Sequence, residues 1–561
     1  MQSATIKDVI EDVKSFLGSA YIGDYVIRDK KHFILIDKKI VVDLAKYMKD
    51  KWDARLVHVT VSDLGADGFE VAYHYSFEHI EPKYHVTFKA MVDREDPKID
   101  SISTVTYEAS WAEREMAELL GIEFVGHPDP RHLFLPYEWP EEVESAARKS
   151  EKDKVKVLTS IPRKPADSVG VIIPIGPYHP MLVENIFFRC KVKDEIILDV
   201  DIKPGLNHRG IMQLAESRNY WRNLYLVERV CGICSSSHQI AYATTIENLL
   251  EVDIPDRARL IRTLLLELDR LHSHFLILGL WADVMGFLTG FHHMWRLREN
   301  IMDILELVTG NRVTHGMILI GGVKLDVNNE KLDKIEKILK ETVPEGFEIA
   351  TSIADHPVCK KRLRNVGVVT RKEARDIGLV GPTARGSEFK IDVRKDDPFA
   401  AYDMDWVSWD VVTYPGGDCY ARFMVRAYEL LQAHEICLQC VEALRKVGGP
   451  IQVEVEEPEP NKEAVGKVEA PRGELFYYVK SGEENSHIPN TVRIRTPSYR
   501  NNAGLPFMLK GYTVADIPTI VTSIDPCYSC TDRAIILENE KTEEQKIITI
   551  RDLLKTKFTN M

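Results

Sequence analysis

Two cysteine pairs with the spacing Cys-x-x-Cys constrain this chain more than any other feature. Cys231 and Cys234 lie within ERVCGICSSSH, and Cys527 and Cys530 lie within SIDPCYSCTDR. Four thiolates from two such turns make a sulfur-rich site suited to zinc, iron or nickel. Structural zinc modules usually place their pairs about 15–20 residues apart, whereas Cys231 and Cys527 are 296 residues apart. The spacing therefore predicts a metal site in the core of a large domain and leaves the metal open.

The length and net charge of the chain limit the classes of protein to which it can belong. The chain has 561 residues, enough for two or three domains. Its formal net charge is −13, and an acidic chain without a long basic stripe is a poor binder of nucleic acid, so no nucleic-acid partner is expected. No apolar run reaches the about 18 residues that a transmembrane segment needs. The N-terminus is typical of an amphipathic helix and not of a signal peptide, which favours a cytoplasmic protein that attaches to a membrane through partners.

Hydrophobic periodicity divides the chain into two folded parts. In residues 1–140, four segments alternate apolar and polar positions, which predicts half-buried strands: VVDLAKY, RLVHVTVSD, FEVAYHYSF and YHVTFKAMVD. A helix is predicted at 109–120, ended by Gly121. A charged, proline-bounded stretch at 141–167 is the predicted linker.

Helical periodicity dominates the second part. After two strand-like segments, VGVIIPIG and IILDVDIKPG, helices are predicted over 216–229, 237–250, 255–285, 290–310 and 418–446. Frequent Pro and Gly predict short strands and turns in 350–412 and 450–525. The predicted fold class is an α+β N-terminal domain followed by a predominantly α domain, in which a bundle of long helices carries small peripheral β elements.

The motifs around the cysteines resemble those of a known family. ERVCGICSSSH and DPCYSCTDR resemble the metal motifs of nickel–iron hydrogenase large subunits, and the Thr-Asp-Arg ending resembles the membrane-bound, energy-converting and formate-hydrogenlyase branch. Further segments that resemble this branch are GPYHPMLVE at 176–184, GLVGPTARGS at 378–387, VRKDDPFAAYD at 393–403, EAPRGELFYYV at 469–479 and RTPSYRN at 495–501.

The N-terminal part carries a second resemblance. WAEREMAELLGIEFVGHPDPRHLFLPYEW is similar to the 30-kDa-type subunit of respiratory complex I, which hydrogenases of the formate-hydrogenlyase type carry ahead of the large subunit. The two resemblances together imply a complex-I-like domain at 1–140, the linker at 141–167, a large-subunit domain at 168–533 and a C-terminal extension at 534–561.

The resemblance implies a metal centre and a ligand set. The family holds nickel and iron with four thiolates, and the iron also carries carbon monoxide and two cyanides. Cys231 and Cys527 would be terminal nickel ligands, whereas Cys234 and Cys530 would bridge nickel to iron. The family interconverts H2 with protons and electrons, and Cys527 would serve as the base.

Five further residues receive roles from the same resemblance. Glu184 would relay protons, because a carboxyl in a mostly apolar channel has a raised pKa; a surface glutamate is the alternative. Arg472 would place a guanidinium over the metals, with a structural ion pair as the alternative. Ser498, beside Pro497, would donate to a cyanide unless it is a turn serine. His238 would lie near a bridging sulfur, or be a core histidine.

Three observations qualify the resemblance. Cys437 and Cys440 also have the Cys-x-x-Cys spacing, but apolar neighbours at helical spacing predict buried residues without metal. Many large subunits have Glu at the position of Met212 and His at the position of Arg533, where other branches bind magnesium or iron. A third metal bound in the usual way is therefore not expected.

The C-terminal extension and the partners follow from the resemblance. Family precursors are cut after the residue equivalent to Arg533, so residues 534–561 are expected to be removed, with a permanent hairpin as the alternative. No further cysteine array suits an iron–sulfur cluster in this chain. Electrons would come through a small subunit with a proximal 4Fe-4S cluster, further iron–sulfur subunits and a membrane arm at the cytoplasmic face. Maturation would need an endopeptidase and nickel-insertion proteins.

The expected function is H2 evolution with ferredoxin or formate as the ultimate electron source. One alternative is a metal-free, complex-I-like subunit that shapes a quinone cavity; that family shares the fusion but lacks the four cysteines. The other alternative is an assembly scaffold with a zinc clamp. Metal content distinguishes the three.

Overall fold

The structure is a computed structural model that describes residues 5–28, 31–78, 80, 84–135, 170–182, 184–482 and 487–532, with backbone alone at 537–538 and 545–546. The predicted linker at 141–167 and the predicted processing site Arg533 lie outside the described residues. In the C-terminal extension, Leu537–Glu538 pairs with Gln545–Lys546 in antiparallel fashion. Within the described parts of the chain, no helix has the length and apolar character needed to cross a bilayer.

The N-terminal part is a five-stranded sheet covered by helices. Its elements are α1 (Ile6–Leu17), β1 (Tyr21–Ile27), β2 (Lys31–Ile36), α2 (Val41–Trp52), β3 (Arg55–Asp63), β4 (Phe69–Phe77), β5 (Tyr84–Val92), β6 (Lys98–Asp100), α3 (Ser110–Leu120) and β7 (Glu123–Val125). The strand order is β1-β2-β5-β4-β3, and only β2 and β5 run parallel within this sheet. The amphipathic N-terminal helix is confirmed, as is α3 with Gly121 in the left-handed region at its end.

One predicted strand of this part is wrong, and three are confirmed. VVDLAKY lies in α2, whose buried residues Val41, Leu44, Ala45 and Met48 recur at helical spacing. Seven residues are too few to separate this period from alternation. The other three segments form β3, β4 and β5. These strands are buried almost throughout and not half-buried, because both faces of the sheet are covered.

The second part is built on long helices. Its elements are β8 (Val171–Ile175), β9 (Phe187–Lys193), β10 (Ile196–Lys203), α4 (Ile211–Ala215), α5 (Tyr220–Val227), α6 (Ser235–Leu250), α7 (Asp256–Val284), α8 (Leu288–Thr309), β11 (Ile318–Leu319), β12 (Gly322–Val323), α9 (Asn329–Asp355), α10 (Pro357–Leu363), α11 (Arg371–Ile377), α12 (Gly381–Arg385), α13 (Val393–Asp396), α14 (Cys419–Lys446), β13 (Glu463–Ala470), β14 (Gly473–Ser481), β15 (Pro489–Arg495), α15 (Pro497–Leu509), α16 (Ile517–Ser523) and α17 (Tyr528–Thr531). Helix α7 packs against α8 and α14, and α9 packs against α8 and α14.

The predicted long helices are confirmed as α6, α7, α8 and α14, and the predicted helix over 216–229 is the shorter α5 followed by a 3-10 turn. The strands predicted within 350–412 are wrong, because the described structure there consists of the end of α9, helices α10 to α13 and turns. Helix α9 was not predicted, although its buried Leu332, Ile335, Leu339 and Val343 have helical spacing.

The sheet β13–β14–β15 lies inside the molecule, which corrects the expectation of peripheral β elements. Strands β13 and β14 are buried over almost all their residues. Strand β13 packs on α6, and β15 contacts β3 of the N-terminal sheet. Val465, Phe476 and Tyr478 share a small apolar cluster with Phe33 and Val57. The sheet is interior because it fills the space between the helices and the N-terminal part.

Candidate metal centre

Each cysteine pair begins a helix. Cys231 is extended and follows the 3-10 turn Glu228–Val230, and Cys234 is the residue before α6. Cys527 is the N-cap of the short helix α17, and its Sγ accepts a hydrogen bond from the Cys530 backbone N–H at 3.4 Å. In each turn a backbone N–H thus donates to a sulfur, Ile233 to Cys231 and Cys530 to Cys527, both at 3.4 Å, and such bonds favour the thiolate form.

The four predicted ligands converge in the structure. The Sγ atoms of Cys231 and Cys527 are 3.6 Å apart. The Sγ atoms of Cys231, Cys527 and Cys530 all lie within 4.8 Å of one another, as do the donor atoms of Cys234, His238 and Cys530. A disulfide has sulfurs about 2.0 Å apart, whereas two thiolates on one metal at about 2.3 Å lie about 3.8 Å apart in a tetrahedral arrangement. The donor set therefore fits metal ligation, and all four cysteines are buried free thiols.

The negative charge of a Cys231 thiolate is stabilised by hydrogen bonds from neighbouring thiols and by the charge of Arg472. Thiol hydrogen bonds from Cys234 and Cys527 lower the pKa of Cys231 well below its usual value against the effect of burial. The charge of Arg472 acts in the same direction. Hydrogen bonding with Cys231 raises the pKa of Cys234 and Cys527, and burial raises the pKa of Cys530. One sulfur of the cluster is therefore favoured as a thiolate, and a metal that binds all four would displace the remaining protons.

The candidate site residue Arg472 lies beside the cysteine cluster. It is buried, and its Nε and Nη2 donate to the Asp525 backbone carbonyl and carboxylate, each at 2.8 Å. Burial alone would lower the pKa of Arg472, but Asp525, Cys231 and Cys527 raise it well above its usual value. Its Nη1 is buried with no hydrogen-bond partner among the described residues, which leaves one donor for a group at the metal centre.

Glu184 is hydrogen-bonded to the second cysteine turn. Its carboxylate accepts from the Ser529 backbone N–H at 2.7 Å and from the Ser529 hydroxyl at 2.6 Å. Ser529 lies between Cys527 and Cys530, so this half-buried carboxylate is attached to the turn that carries two predicted ligands.

Ser498 and Pro497 also lie beside the second turn. Pro497 is the first residue of α15, where the fixed φ of proline suits the start of a helix. The Ser498 hydroxyl accepts from the Cys527 backbone N–H at 3.1 Å. Because the oxygen is the acceptor in this bond, the hydroxyl hydrogen is free to donate elsewhere.

His238 lies in the first turn of α6 and faces a cysteine. Its Nδ1 lies 2.7 Å from the Tyr477 hydroxyl, and its Nε2 lies 4.0 Å from the Cys530 Sγ. The ring is buried. The structure thus brings His238 to the sulfur of one predicted bridging ligand.

Two residues at the site were not singled out by the sequence analysis. Asp525 pairs with Arg472, and its place in the DPC motif next to Cys527 was a usable signal. Arg209 bonds the backbone of both cysteine turns: it donates to the carbonyls of Arg229 at 2.6 Å, Val230 at 2.8 Å and Ser529 at 2.8 Å. Such contacts between distant segments leave no periodic trace in a sequence.

The structure also describes Cys437 and Cys440, the third pair with the Cys-x-x-Cys spacing, and Met212, which stands where many large subunits have Glu. Cys437 and Cys440 are buried inside α14, and burial raises the pKa of both thiols, which confirms them as buried apolar residues. The Met212 sulfur accepts from the Ile494 backbone N–H at 3.4 Å. Among the described residues, the groups of side chains that could hold a metal ion all belong to the cysteine cluster.

Three family models match the chain. The model described as "Respiratory-chain NADH dehydrogenase, 49 Kd subunit" matches residues 284–460 and 452–533. The corresponding 30 Kd subunit model matches residues 34–153. The model described as "Nickel-dependent hydrogenase" matches residues 209–285, which include the first cysteine pair.

Two relatives are similar over most of their own length. Formate hydrogenlyase subunit 5 of Escherichia coli is 33% identical over 530 residues, which cover 91% of this chain and 90% of that protein. The carbon monoxide-induced hydrogenase of Rhodospirillum rubrum is 38% identical over 368 residues, which cover 64% of this chain and 99% of that protein.

A solved structure shares the fold. It comes from the membrane-bound sulfane sulfur reductase, an archaeal respiratory membrane complex, with 29% identity and a TM-score of 0.61; the match covers 66% of this chain and 100% of that one. The fold is thus shared by proteins that are named for different activities. The fold alone does not specify the chemistry of the site, whereas the converging cysteines do limit it.

The fold and the site combine four buried, converging cysteines with a complex-I-like scaffold, an arrangement that fits a metal-binding protein. Together with the relatives, they show that the chain belongs to the family of nickel–iron hydrogenase large subunits of the membrane-bound, energy-converting branch, fused to a complex-I 30-kDa-type region.

Proposed function

We propose that the chain is the catalytic large subunit of a membrane-associated hydrogenase that evolves H2, with ferredoxin or formate as the ultimate electron source. The observation that carries this proposal is the convergence of Cys231, Cys234, Cys527 and Cys530 from two distant turns. The relatives named as hydrogenases support nickel in preference to zinc at this site. A nickel–iron enzyme accounts for the motifs and the geometry together.

The thiolates of Cys231, Cys234, Cys527 and Cys530 would together hold the nickel and the iron. When bound, the centre, whose iron carries carbon monoxide and two cyanides, would supply the redox chemistry of H2. The thiolate donors and the buried Arg472 donor fit such an electron-rich, anionic group.

The chain's own residues supply proton transfer and orientation. Cys527 Sγ is the proposed base, and Glu184, attached to Ser529 of the same turn, is the proposed next acceptor. Asp525 fixes the Arg472 guanidinium by two hydrogen bonds, so that Nη1 remains available for the anionic ligands. Ser498 would donate its hydroxyl hydrogen to one cyanide, while His238 donates toward the Cys530 sulfur.

The domain division and the partners of the chain are proposed from those of its relatives. We place a complex-I-like domain at 1–140, a linker at 141–167, an α-rich large-subunit domain at 168–533 and a removable extension at 534–561. The proposed partners are a small subunit with a proximal 4Fe-4S cluster, further iron–sulfur subunits and a membrane arm, at the cytoplasmic face of the membrane. An endopeptidase would cut after Arg533 once nickel-insertion proteins have acted.

A matched pair of cysteine variants tests the proposal. Cys527→Ser removes a ligand, whereas Cys437→Ser changes a buried cysteine of the same spacing in α14. We expect nickel content and H2 evolution with a reduced low-potential dye to fall to background in Cys527→Ser and to persist in Cys437→Ser. A native complex that contains only zinc, or no metal, would support the scaffold or the quinone-type alternative.

A further inference from the structure

A segment after α3 reaches from the N-terminal sheet to the metal-binding part. Residues 131–135, called the strap here, include Leu133 and Phe134, which are buried in the main apolar cluster with Cys231 and Cys527. The core of the N-terminal part is a separate cluster that contains α3 residues such as Met116. The strap therefore packs with the metal-binding part and not with its own sheet.

Three buried charged side chains hold the strap along its backbone. Arg114 of α3 donates to the carbonyls of Arg131 at 2.7 Å and His132 at 3.0 Å. Glu118 of α3 accepts from the backbone N–H groups of Leu133 at 3.0 Å, Phe134 at 2.9 Å and Leu135 at 3.3 Å. Lys203, at the end of β10, donates to the backbone carbonyls of His132 at 3.1 Å, Leu133 at 2.7 Å and Leu135. The carboxylate thus bonds the backbone N–H groups of the strap, and the positively charged side chains bond its carbonyls. This is more hydrogen bonding than a simple connection between two elements requires.

The strap contacts the loop that follows Lys203. The Phe134 ring stacks on His208 with centroids 4.9 Å apart and planes at 20°. At Gly205, where φ is +113°, a Cβ would come within 2.4 Å of the Phe134 carbonyl oxygen, so only glycine permits this approach. The loop 204–209 is therefore fitted closely to the strap.

The same loop bonds both cysteine turns. The Arg209 guanidinium donates to the carbonyls of Val230, next to Cys231, and of Ser529, inside the second turn. The Asn207 backbone N–H donates to the Asp532 carboxylate at 2.9 Å. A continuous path of contacts thus leads from Glu118 through the strap and the loop to the two turns.

We propose that the strap is a brace for the metal centre, and that Glu118, Phe134 and Lys203 are positioning residues that act through the loop 204–209 on both cysteine turns. The N-terminal region would then contribute to the positioning of both cysteine turns.

That the strap supports a metal-loaded centre rests on the proposed function. The exchange experiment that tests the strap does not depend on that function. Hydrogen–deuterium exchange is measured on the full-length chain before metal loading, for wild type, Phe134→Ala, Lys203→Met and Phe16→Ala. Phe16 is the matched control, because it stacks on Tyr47 with centroids 3.9 Å apart, within the N-terminal part and away from the strap. Phe134→Leu replaces Phe134→Ala if the latter does not accumulate, since it removes only the ring stack.

We expect Phe134→Ala and Lys203→Met to raise exchange about tenfold in peptides that cover 204–209 and 527–532. Phe16→Ala should raise exchange near α1 alone. Faster exchange confined to 131–135 would overturn the proposal, because the strap would then be attached without supporting the turns. A wild-type complex without nickel would contradict the proposed function and leave this exchange result unaffected, so the two failures are distinguishable.

Discussion

Single residues at the candidate metal centre are fixed by hydrogen bonds in or beside the second cysteine turn, and Arg472 and Ser498 each keep one donor that these bonds do not use. Arg472 uses two nitrogens on Asp525 and leaves Nη1 without a partner among the described residues. Ser498 accepts from Cys527 and keeps its hydrogen. Glu184 is tied to Ser529 at both oxygens. Fixed donors of this kind stabilise developing charge without reorganisation.

Replacing Glu184 tests its role as a proton relay. Glu184→Gln keeps a hydrogen-bond acceptor for Ser529 but cannot carry a proton, so H2 evolution should fall about 10²- to 10⁴-fold while nickel content stays unchanged. Dye-linked H2 evolution and nickel per chain are the measurements. Glu195→Gln, at an exposed turn of the same region, is the control and should retain activity. Full activity in Glu184→Gln would remove this residue from the proton path.

A second glutamate gives a pH prediction for the N-terminal part. Burial raises the pKa of Glu113 in α3 from 4.5 to about 7, although Ile102 N–H donates to it at 2.9 Å. The folded state therefore holds a proton that the unfolded state releases between about pH 4.5 and 7. Stability from this group is present below pH 4.5 and is lost as pH rises through 7.

Glu113→Gln should reduce this pH dependence. The wild type should lose up to about 3 kcal/mol between pH 4.5 and 8 through this carboxyl, and the variant should lose correspondingly less. The slowest-exchanging amides of β3 to β5 report this free energy at both pH values. Glu123→Gln, on the exposed end of β7, serves as the control. An unchanged pH profile in Glu113→Gln would show that other groups cause the dependence.

At the scale of elements, a buried ionic network joins the helices behind the site. Arg385 at the end of α12 donates to Glu429 of α14 at 3.0 Å and to Glu469 of β13 at 2.8 Å. Arg394 of α13 donates to Glu267 of α7 at 3.0 Å. All of these side chains are buried. The network fixes how α7, α14 and β13 meet, and Arg472 lies in the turn between β13 and β14.

Removing one cation of this network should be costly. Arg385→Met leaves Glu429 and Glu469 without their shared partner, which should lower the free energy of unfolding by about 3–5 kcal/mol. Arg445→Met is the control, because its ion pairs with Asp333 and Glu336 are partly exposed and worth about 1 kcal/mol or less. Urea denaturation of the full chain compares them. Equal losses in the two variants would contradict the account of the network.

At the scale of the whole molecule, the sequence predicted the parts that have a local signal. The long helices α6, α7, α8 and α14 follow apolar periodicity, and the convergence of the four cysteines follows from spacing and motif. VVDLAKY was mistaken for a strand because a short apolar segment fits two periods. Arg262 and Asp269 of α7 are as buried as its leucines, which the composition of the helix does not reveal.

The unpredicted features depend on contacts between distant segments. The interior position of β13 to β15, the Arg209 bonds to both turns and the strap on Lys203 each join residues that are far apart in the chain. Periodicity reports which face is apolar but not what covers it.

Infrared spectroscopy of the anaerobically purified, fully processed complex tests the central claim most directly. A nickel–iron centre on these four thiolates predicts one band from metal-bound carbon monoxide and two from cyanide, all lost in Cys527→Ser and kept in Cys437→Ser. A processed complex ending at Arg533 that lacks these bands would contradict the hydrogenase account and favour a quinone-type or zinc-binding subunit.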